Sequence, residues 1–235
     1  MKVFERVIYL TLVNRYQDIL QRIHQSCQRA NRSPDDLTLI AVTKYVTIEK
    51  TREVVQLGIN DVGENRDKGF IEKKSALADD KLSWHFIGQM QTKKVKKVIN
   101  DIDFFHALDR IALAEEINKR AVNVIKCFVQ VNVSGEESKA GLAPSEVGSF
   151  IETLANYHNI NVVGLMTMAP HTVEEPVLRA VFSQLRELRD FIQAQQYPNA
   201  PCRYLSMGMS NDFEIAIEEG ATHIRVGSSL VGMEG

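Results

Sequence analysis

The stretch "LTLIAVTKYV", residues 37–46, is an apolar run that carries one ammonium, Lys44, near its end. A lysine in that place has two readings. In one, its stem packs on apolar neighbours while the ammonium snorkels to water. In the other it is a Schiff-base nucleophile: desolvation favours the neutral amine, which attacks an aldehyde. What else lines the same end of the molecule separates the two. "YLSMGMSND" ends a strand-like run, turns on a glycine, and offers the Ser206 and Ser210 hydroxyls where a helix begins. Backbone N–H groups and the helix dipole favour an anion at such a point. "RVGSSLVG" then adds Gly227 for close backbone approach and Ser228 as a further donor. Either motif alone is equally well read as a helix cap or a turn. Beside an imine-forming lysine, the pair describes a phosphate cup.

These residues need a frame that brings them together. Strand-like and helical patterns alternate along the chain, and "LTLIAVTK", "DVGEN", "WHFIG", "FFHALD", "CFVQVNV", "NVVGLMTM", "YLSMG" and "THIRVG" are the strand candidates. Most are continuously apolar, as strands buried on both faces of a parallel sheet are. Between them Val147, Phe150, Ile151 and Leu154 recur at helical spacing, as do Leu178, Val181, Phe182, Leu185 and Leu188. Phe213, Ala216 and Ile217 make a shorter stripe that Gly220 closes. A segment from about Phe4 to Ala30 reads as one more helix ahead of the first strand. The pattern predicts an α/β chain of (β/α)8 TIM-barrel type with an extra N-terminal helix. Residues 1–36 form the leader and residues 37–235 the barrel, as one domain. An open doubly wound sheet often has a Gly-rich first loop, and none follows "LIAVTK" before Gly58. In a barrel, chemistry gathers at the C-terminal strand ends, which places Lys44, Asn65, Ser206 and "RVGSS" around one mouth.

Composition narrows the partners. The chain has 235 residues, 44% hydrophobic and 25% charged, with a net charge of -2; it is long enough for a large core and gives no global attraction to nucleic acid. The N-terminal segment carries Lys2, Glu5 and Arg6, and its apolar run is too short for a membrane span or a signal peptide. The expected location is the cytoplasm, with no membrane or nucleic-acid partner. Cys27, Cys127 and Cys202 are widely spaced and odd in number, so neither a disulfide framework nor a metal site is indicated.

A lysine that forms an imine together with a phosphate cup describes pyridoxal 5'-phosphate (PLP). The set "AVTK", "DVGEN", "WHFIG", "NVSGEESKAGL", "GLMTMAP", "LSMGMSNDFEIAI" and "HIRVGSSLVG", in this order, closely resembles the PLP homeostasis protein family, also called YggS/PROSC. The resemblance implies a barrel like the N-terminal domain of alanine racemase, with PLP held as an internal aldimine on Lys44. It implies that Arg225 faces the pyridine nitrogen, that Ser206, Ser210, Gly227 and Ser228 hold the phosphate, and that Asn65 lines the ring. With Met207, these make the expected cofactor-binding set. Met90, Lys93 and Val231 depart from the family's usual leucine, asparagine and phenylalanine, and Ser228 replaces a frequent threonine while keeping the hydroxyl.

The implied role is a PLP buffer or carrier with PLP-dependent apoenzymes as partners, acting as a monomer in amino-acid and keto-acid balance. The chain ends at Gly235, right after the eighth unit, so the expectation is that no second domain supplies the opposite-face base of a racemase; Tyr45 lies beside the lysine, without evident reach to the other face. No catalytic residue is therefore assigned. The alternatives are a weak PLP-dependent racemase or decarboxylase, and a sugar-phosphate isomerase or aldolase using Lys44 and the same loops. "KKVKK", residues 93–97, reads as the solvated face of a helix that Thr92 caps, with Val95, Val98 and Ile99 turned inward. His85 and His106 read as hydrogen-bonded core histidines, and Lys139 as a solvated loop residue able to take PLP in transit.

Overall fold

The computed structural model describes residues 3–78 and 80–232, with side chains from Thr11 onward; Lys2 and Gly235 lie outside the described residues. Eight parallel strands close into a barrel in chain order. They are β1 (Thr38–Val42), β2 (Asp61–Glu64), β3 (Ser83–Phe86), β4 (Phe104–Leu108), β5 (Ile125–Gln130), β6 (Ile160–Met166), β7 (Tyr204–Met209) and β8 (His223–Val226). Closure pairs Ile40 of β1 with Arg225 of β8, and Val42 of β1 with Gly63 of β2. Each expected strand is present, and the expected runs mostly overshoot the observed C-terminal ends. The overshoot has a cause: Thr43, Val131 and Thr167, just past those ends, are as buried as the strands themselves.

The helices are α1 (Val3–Arg29), α2 (Ile48–Gln56), α3 (Asp67–Ala76), α4 (Ile111–Arg120), α5 (Val147–Leu154), α6 (Glu175–Ala194), α7 (Phe213–Glu218) and α8 (Ser228–Val231). Gly220 ends α7 at a φ of 100°, and the Ala221 N–H returns to the Ala216 carbonyl, a glycine stop of the expected kind. The third unit differs from expectation. After β3 the chain forms a 3-10 helix over Thr92–Lys97, with Thr92 inside it and Gln91 ahead making no side-chain cap bond. Val95, Val98 and Ile99 are buried all the same: Val95 lies in the 3-10 helix, and Val98 and Ile99 follow directly after it. Lys94 and Lys97 are tied to Asp67 of α3 at 2.7 and 3.4 Å, while Lys93 is exposed.

Strand alternation divides the buried residues into two layers. Trp84, Phe105, Leu205 and Met207 lie in the apolar layer under the helices, where Trp84 meets Phe70 of α3 edge to face at 5.4 Å. Inside the barrel stand His85, His106, Phe104, Phe128, Ser206, His223 and Arg225, a set unusually polar for a barrel interior. Helix α1 packs across α7 and α8. Cys27, Cys127 and Cys202 are buried free thiols, and burial raises the pKa of all three. No helix among the described residues is long and apolar enough to cross a membrane.

Candidate functional site at the barrel mouth

Lys44 sits on the turn directly after β1 and is exposed, its Nζ 4.9 Å from the centre of the Tyr45 ring. The desolvation that the sequence suggested is absent, because the residue lies beyond the strand, above the packed layers. Its placement is nonetheless tightly set from behind. The Thr43 hydroxyl donates to Glu64 Oε1 at 2.6 Å, Lys73 Nζ donates to the same oxygen at 2.7 Å, and Lys73 also donates to the Thr43 carbonyl. Glu64 and Lys73 are buried, with side chains 1% and 6% exposed. This clamp, which sequence reasoning missed, fixes the backbone one residue before the lysine. Lys73 comes from α3, and nothing in its local sequence distinguishes it from Lys74.

Asn65 follows β2 at the same end. Its side-chain Oδ1 is buried with no hydrogen-bond partner among the described residues. Gly88 lets the third loop pass against it: a Cβ there would stand 2.2 Å from the Asn65 carbonyl oxygen. Arg110 donates to the Met90 carbonyl of that loop.

On the other flank of β1 lie the ends of β8 and β7. Gly208 turns at a φ of 91°, and a Cβ on it would come within 2.6 Å of the Ala216 Cβ, so the tight turn into α7 requires glycine. Ser210 does not cap α7; its Oγ accepts the N–H groups of Gly227 and Ser229 at 3.2 and 3.4 Å. Ser228 is exposed, and Ser229, unnoticed in the sequence beside it, carries a buried Oγ with no partner among the described residues. Asp212 accepts from the Met209 N–H at 2.5 Å, and burial raises its pKa. Lys139 reaches towards this side too. It is mostly buried rather than solvated, paired with Glu136 at 2.8 Å and 3.4 Å from the Met168 carbonyl.

Arg225 points inward from β8, donating through Nη1 to Ser206 Oγ at 2.6 Å and through Nη2 to the Thr167 carbonyl at 2.9 Å. Burial lowers its pKa to about 10, partly offset by the Asp212 carboxylate, so it stays charged at neutral pH. Ser206 is thus placed beneath the mouth. Its hydroxyl is engaged by Arg225 and by His106 at 2.8 Å, a geometry that supports the arginine. Met207 turns its side chain into the helix layer.

The mouth therefore offers a primary amine, a donor-only cation inside the rim, two buried oxygens without partners, and a cup of backbone N–H groups. An amine for an aldehyde, a donor for a ring nitrogen and amides for a phosphate are what PLP requires, and the donor set fits it. Among the described residues no group of three or more His, Cys, Asp or Glu is arranged for a metal ion.

Comparison with known proteins agrees with this class of site. Residues 19–235 match the family model for the alanine racemase N-terminal domain, so the chain is a barrel of that class. Within it, the chain belongs to the pyridoxal phosphate homeostasis protein family. It is 42% identical over 221 residues to the pyridoxal phosphate homeostasis protein of Aquifex aeolicus, covering 93% of this chain and 96% of that one. The protein of that name from Pseudomonas aeruginosa is 35% identical, over 94% of this chain and 95% of its own. Among solved structures, PipY of Synechococcus elongatus with PLP bound superposes with a TM-score of 0.78 at 32% identity, covering 90% of this chain and all of that one.

Proposed function

We propose that this chain holds PLP at the barrel mouth and acts in intracellular PLP homeostasis as a carrier and buffer of the cofactor, with effects on amino-acid and keto-acid balance. The carrying observation is the meeting, at one end of the barrel, of the Lys44 amine, the Arg225 guanidinium and the Ser210–Gly227–Ser229 cup. When bound, PLP supplies an aldehyde that captures amines and a ring that draws electrons. Lys44 supplies the amine. Arg225 has only hydrogens to give, so it presents an N–H to the ring nitrogen and keeps a proton off that atom. The Gly227 and Ser229 amides and the Ser210 hydroxyl hold the phosphate, and Asn65 turns its free oxygen to the ring's side of the pocket.

An exposed Lys44 on an open turn suits a carrier, since competing amines and recipient proteins can reach it. The names of the relatives, homeostasis proteins and not enzymes, support the same side. The recipients are PLP-dependent apoenzymes, and the chain works as a cytoplasmic monomer. The test is the absorption spectrum of the purified protein, followed by borohydride reduction and peptide mapping. We expect a yellow protein whose pyridoxyl group maps to Lys44 and is lost from that position in Lys44→Ala. A pyridoxyl group mainly elsewhere overturns the assignment. Steady exchange of an amino acid's Cα proton in heavy water, abolished by Lys44→Ala, would favour a weak racemase or decarboxylase instead.

A further inference from the structure

Beneath the mouth, a line of hydrogen bonds runs along the barrel interior and uses residues to which the proposed function gives no task. It begins with Asp61, the first residue of β2, at the face where the strands start, its side chain 30% exposed. Asp61 Oδ1 lies 2.9 Å from His85 Nε2, and His85 Nδ1 lies 2.9 Å from His106 Nε2. His106 Nδ1 is 2.8 Å from Ser206 Oγ, which is 2.6 Å from Arg225 Nη1. His85, His106 and Ser206 are fully buried. Phe104 stacks on His85 at 4.5 Å and Phe128 on His106 at 4.4 Å, which limits how far either ring can turn. His223, also inside, bonds to Thr222 at 2.9 Å and stands 6.4 Å from His106 between ring centres, outside the line.

The two ends fix the direction of every link. A guanidinium can only donate and an ionised carboxylate can only accept. Arg225 donates to Ser206; the Ser206 hydroxyl then donates to His106 Nδ1, His106 Nε2–H to His85 Nδ1, and His85 Nε2–H to Asp61. The opposite order would set the bare Nε2 of His85 against the carboxylate and strip the Ser206 hydrogen of its acceptor in the line. In this order both histidines accept on Nδ1 and carry hydrogen on Nε2. Burial, with the nearby Arg225 guanidinium, independently disfavours charge on His106.

We infer that Asp61, His85, His106 and Ser206 are positioning residues for the cofactor site: a one-way relay that orients Arg225 and lets a carboxylate on the opposite face of the barrel set how that arginine meets the cofactor ring. The relay itself needs no ligand; its effect at the ring rests on the PLP reading above. Its energetic reach is that of one neutral hydrogen bond, because what changes at Arg225 is the acceptor strength of Ser206.

The experiment has two arms. Full-length protein without cofactor, labelled with 15N at histidine, is compared by ring-nitrogen NMR as the parent, Asp61→Asn and Asp61→Glu. Asparagine keeps the shape of Asp61 but can also donate, so it releases the direction of the line, whereas Glu keeps an acceptor-only end. We expect His85 and His106 to carry hydrogen on Nε2 in the parent and in Asp61→Glu, and His106, which does not touch residue 61, to change tautomer in Asp61→Asn. An Nδ1–H tautomer of His106 in the parent, or a His106 unmoved by Asp61→Asn, overturns the relay. Should Asp61→Asn fail to fold, the parent tautomers alone decide. In the second arm the same proteins are loaded with PLP. Asp61→Asn is expected to shift the absorption band of the bound cofactor and to weaken its retention about two- to tenfold, with Asp61→Glu restoring both. An unchanged band and affinity beside a changed His106 tautomer overturns the link to the ring. A parent that takes up no PLP sinks the cofactor reading and the link together, while the first arm still decides the relay.

Discussion

The two sides of the mouth are built on different principles. On the side of β1 and β2, the backbone leading to Lys44 is gripped by the buried Lys73–Glu64 pair through the hydroxyl and carbonyl of Thr43. On the side of β7 and β8, Ser210 rests on the amides of Gly227 and Ser229, and Gly208 gives the turn its close approach to α7. A buried ion pair has no substitute when one member is lost, whereas a backbone amide survives almost any side-chain replacement. The lysine side is therefore brittle to mutation and the amide side tolerant.

The largest expected effect follows from that brittleness. Lys73→Met leaves the Glu64 carboxylate buried without its cation and should lower the unfolding free energy by about 3–5 kcal/mol, measured by urea denaturation. Adding Glu64→Leu should recover much of the loss. If the two substitutions instead add, the pair is not the clamp and the contrast between the sides collapses.

Acid should act on the other side. Burial, with the Arg225 guanidinium nearby, holds His223 neutral with a pKa of about 3 against an ordinary 6.5, and His106 is lowered in the same direction. The unfolded chain takes up these protons first, so the stabilisation is complete above pH 6.5 and is lost as pH falls from there towards 3. The loss is on the order of a few kcal/mol, read as a falling urea midpoint between pH 7.5 and 4.5. His223→Phe should flatten the slope. An equally steep slope in that variant would move the acid sensitivity away from β8.

The smallest effects test tolerance directly. Ser210→Ala removes one hydroxyl from the cup and should weaken PLP retention about tenfold, while Ser228→Ala, at an exposed position, should stay within about twofold, both by equilibrium dialysis. Equal and large losses would mean that side chains, not amides, hold that side.

The barrel was legible because its strands are buried on both faces, which forces continuous apolar runs, and because Val147–Leu154 and Leu178–Leu188 keep helical spacing. The third unit escaped as a 3-10 helix since Val95, Val98 and Ile99 read as one α-helical stripe, although the helix stops before the last two. Lys44, Arg225 and Gly227 stood in motifs whose chemistry could be named. Ser206 did not yield its role, because a hydroxyl's target depends on which way the strand turns it, and here it faces His106 and Arg225. Glu64 and Lys73 looked like surface charge: they meet only when α3 folds back on β1, and no local pattern records that.

Helix α1 and the turn after it are tied to α7, nearly two hundred residues further along the chain. Arg22 pairs with Glu214 at 2.7 Å, Arg29 with Glu218 at 2.6 Å, and Arg32 donates to the Ile217 carbonyl at 2.7 Å, while β1 pairs with β8. The residues of α1 thus leave the ribosome well before the surfaces they pack against. Until residues 213–231 emerge, Leu12, Ile19, Ile23 and Cys27 lack the α7 and α8 surfaces against which α1 packs. Closure is a late event of high contact order, slow by topology and open to wrong association beforehand. Since Ser210, Arg225 and Gly227 belong to the β7–β8 region that closes on β1, the capacity to take up a ligand at this mouth does not grow with the nascent chain; it appears all at once, when the barrel shuts.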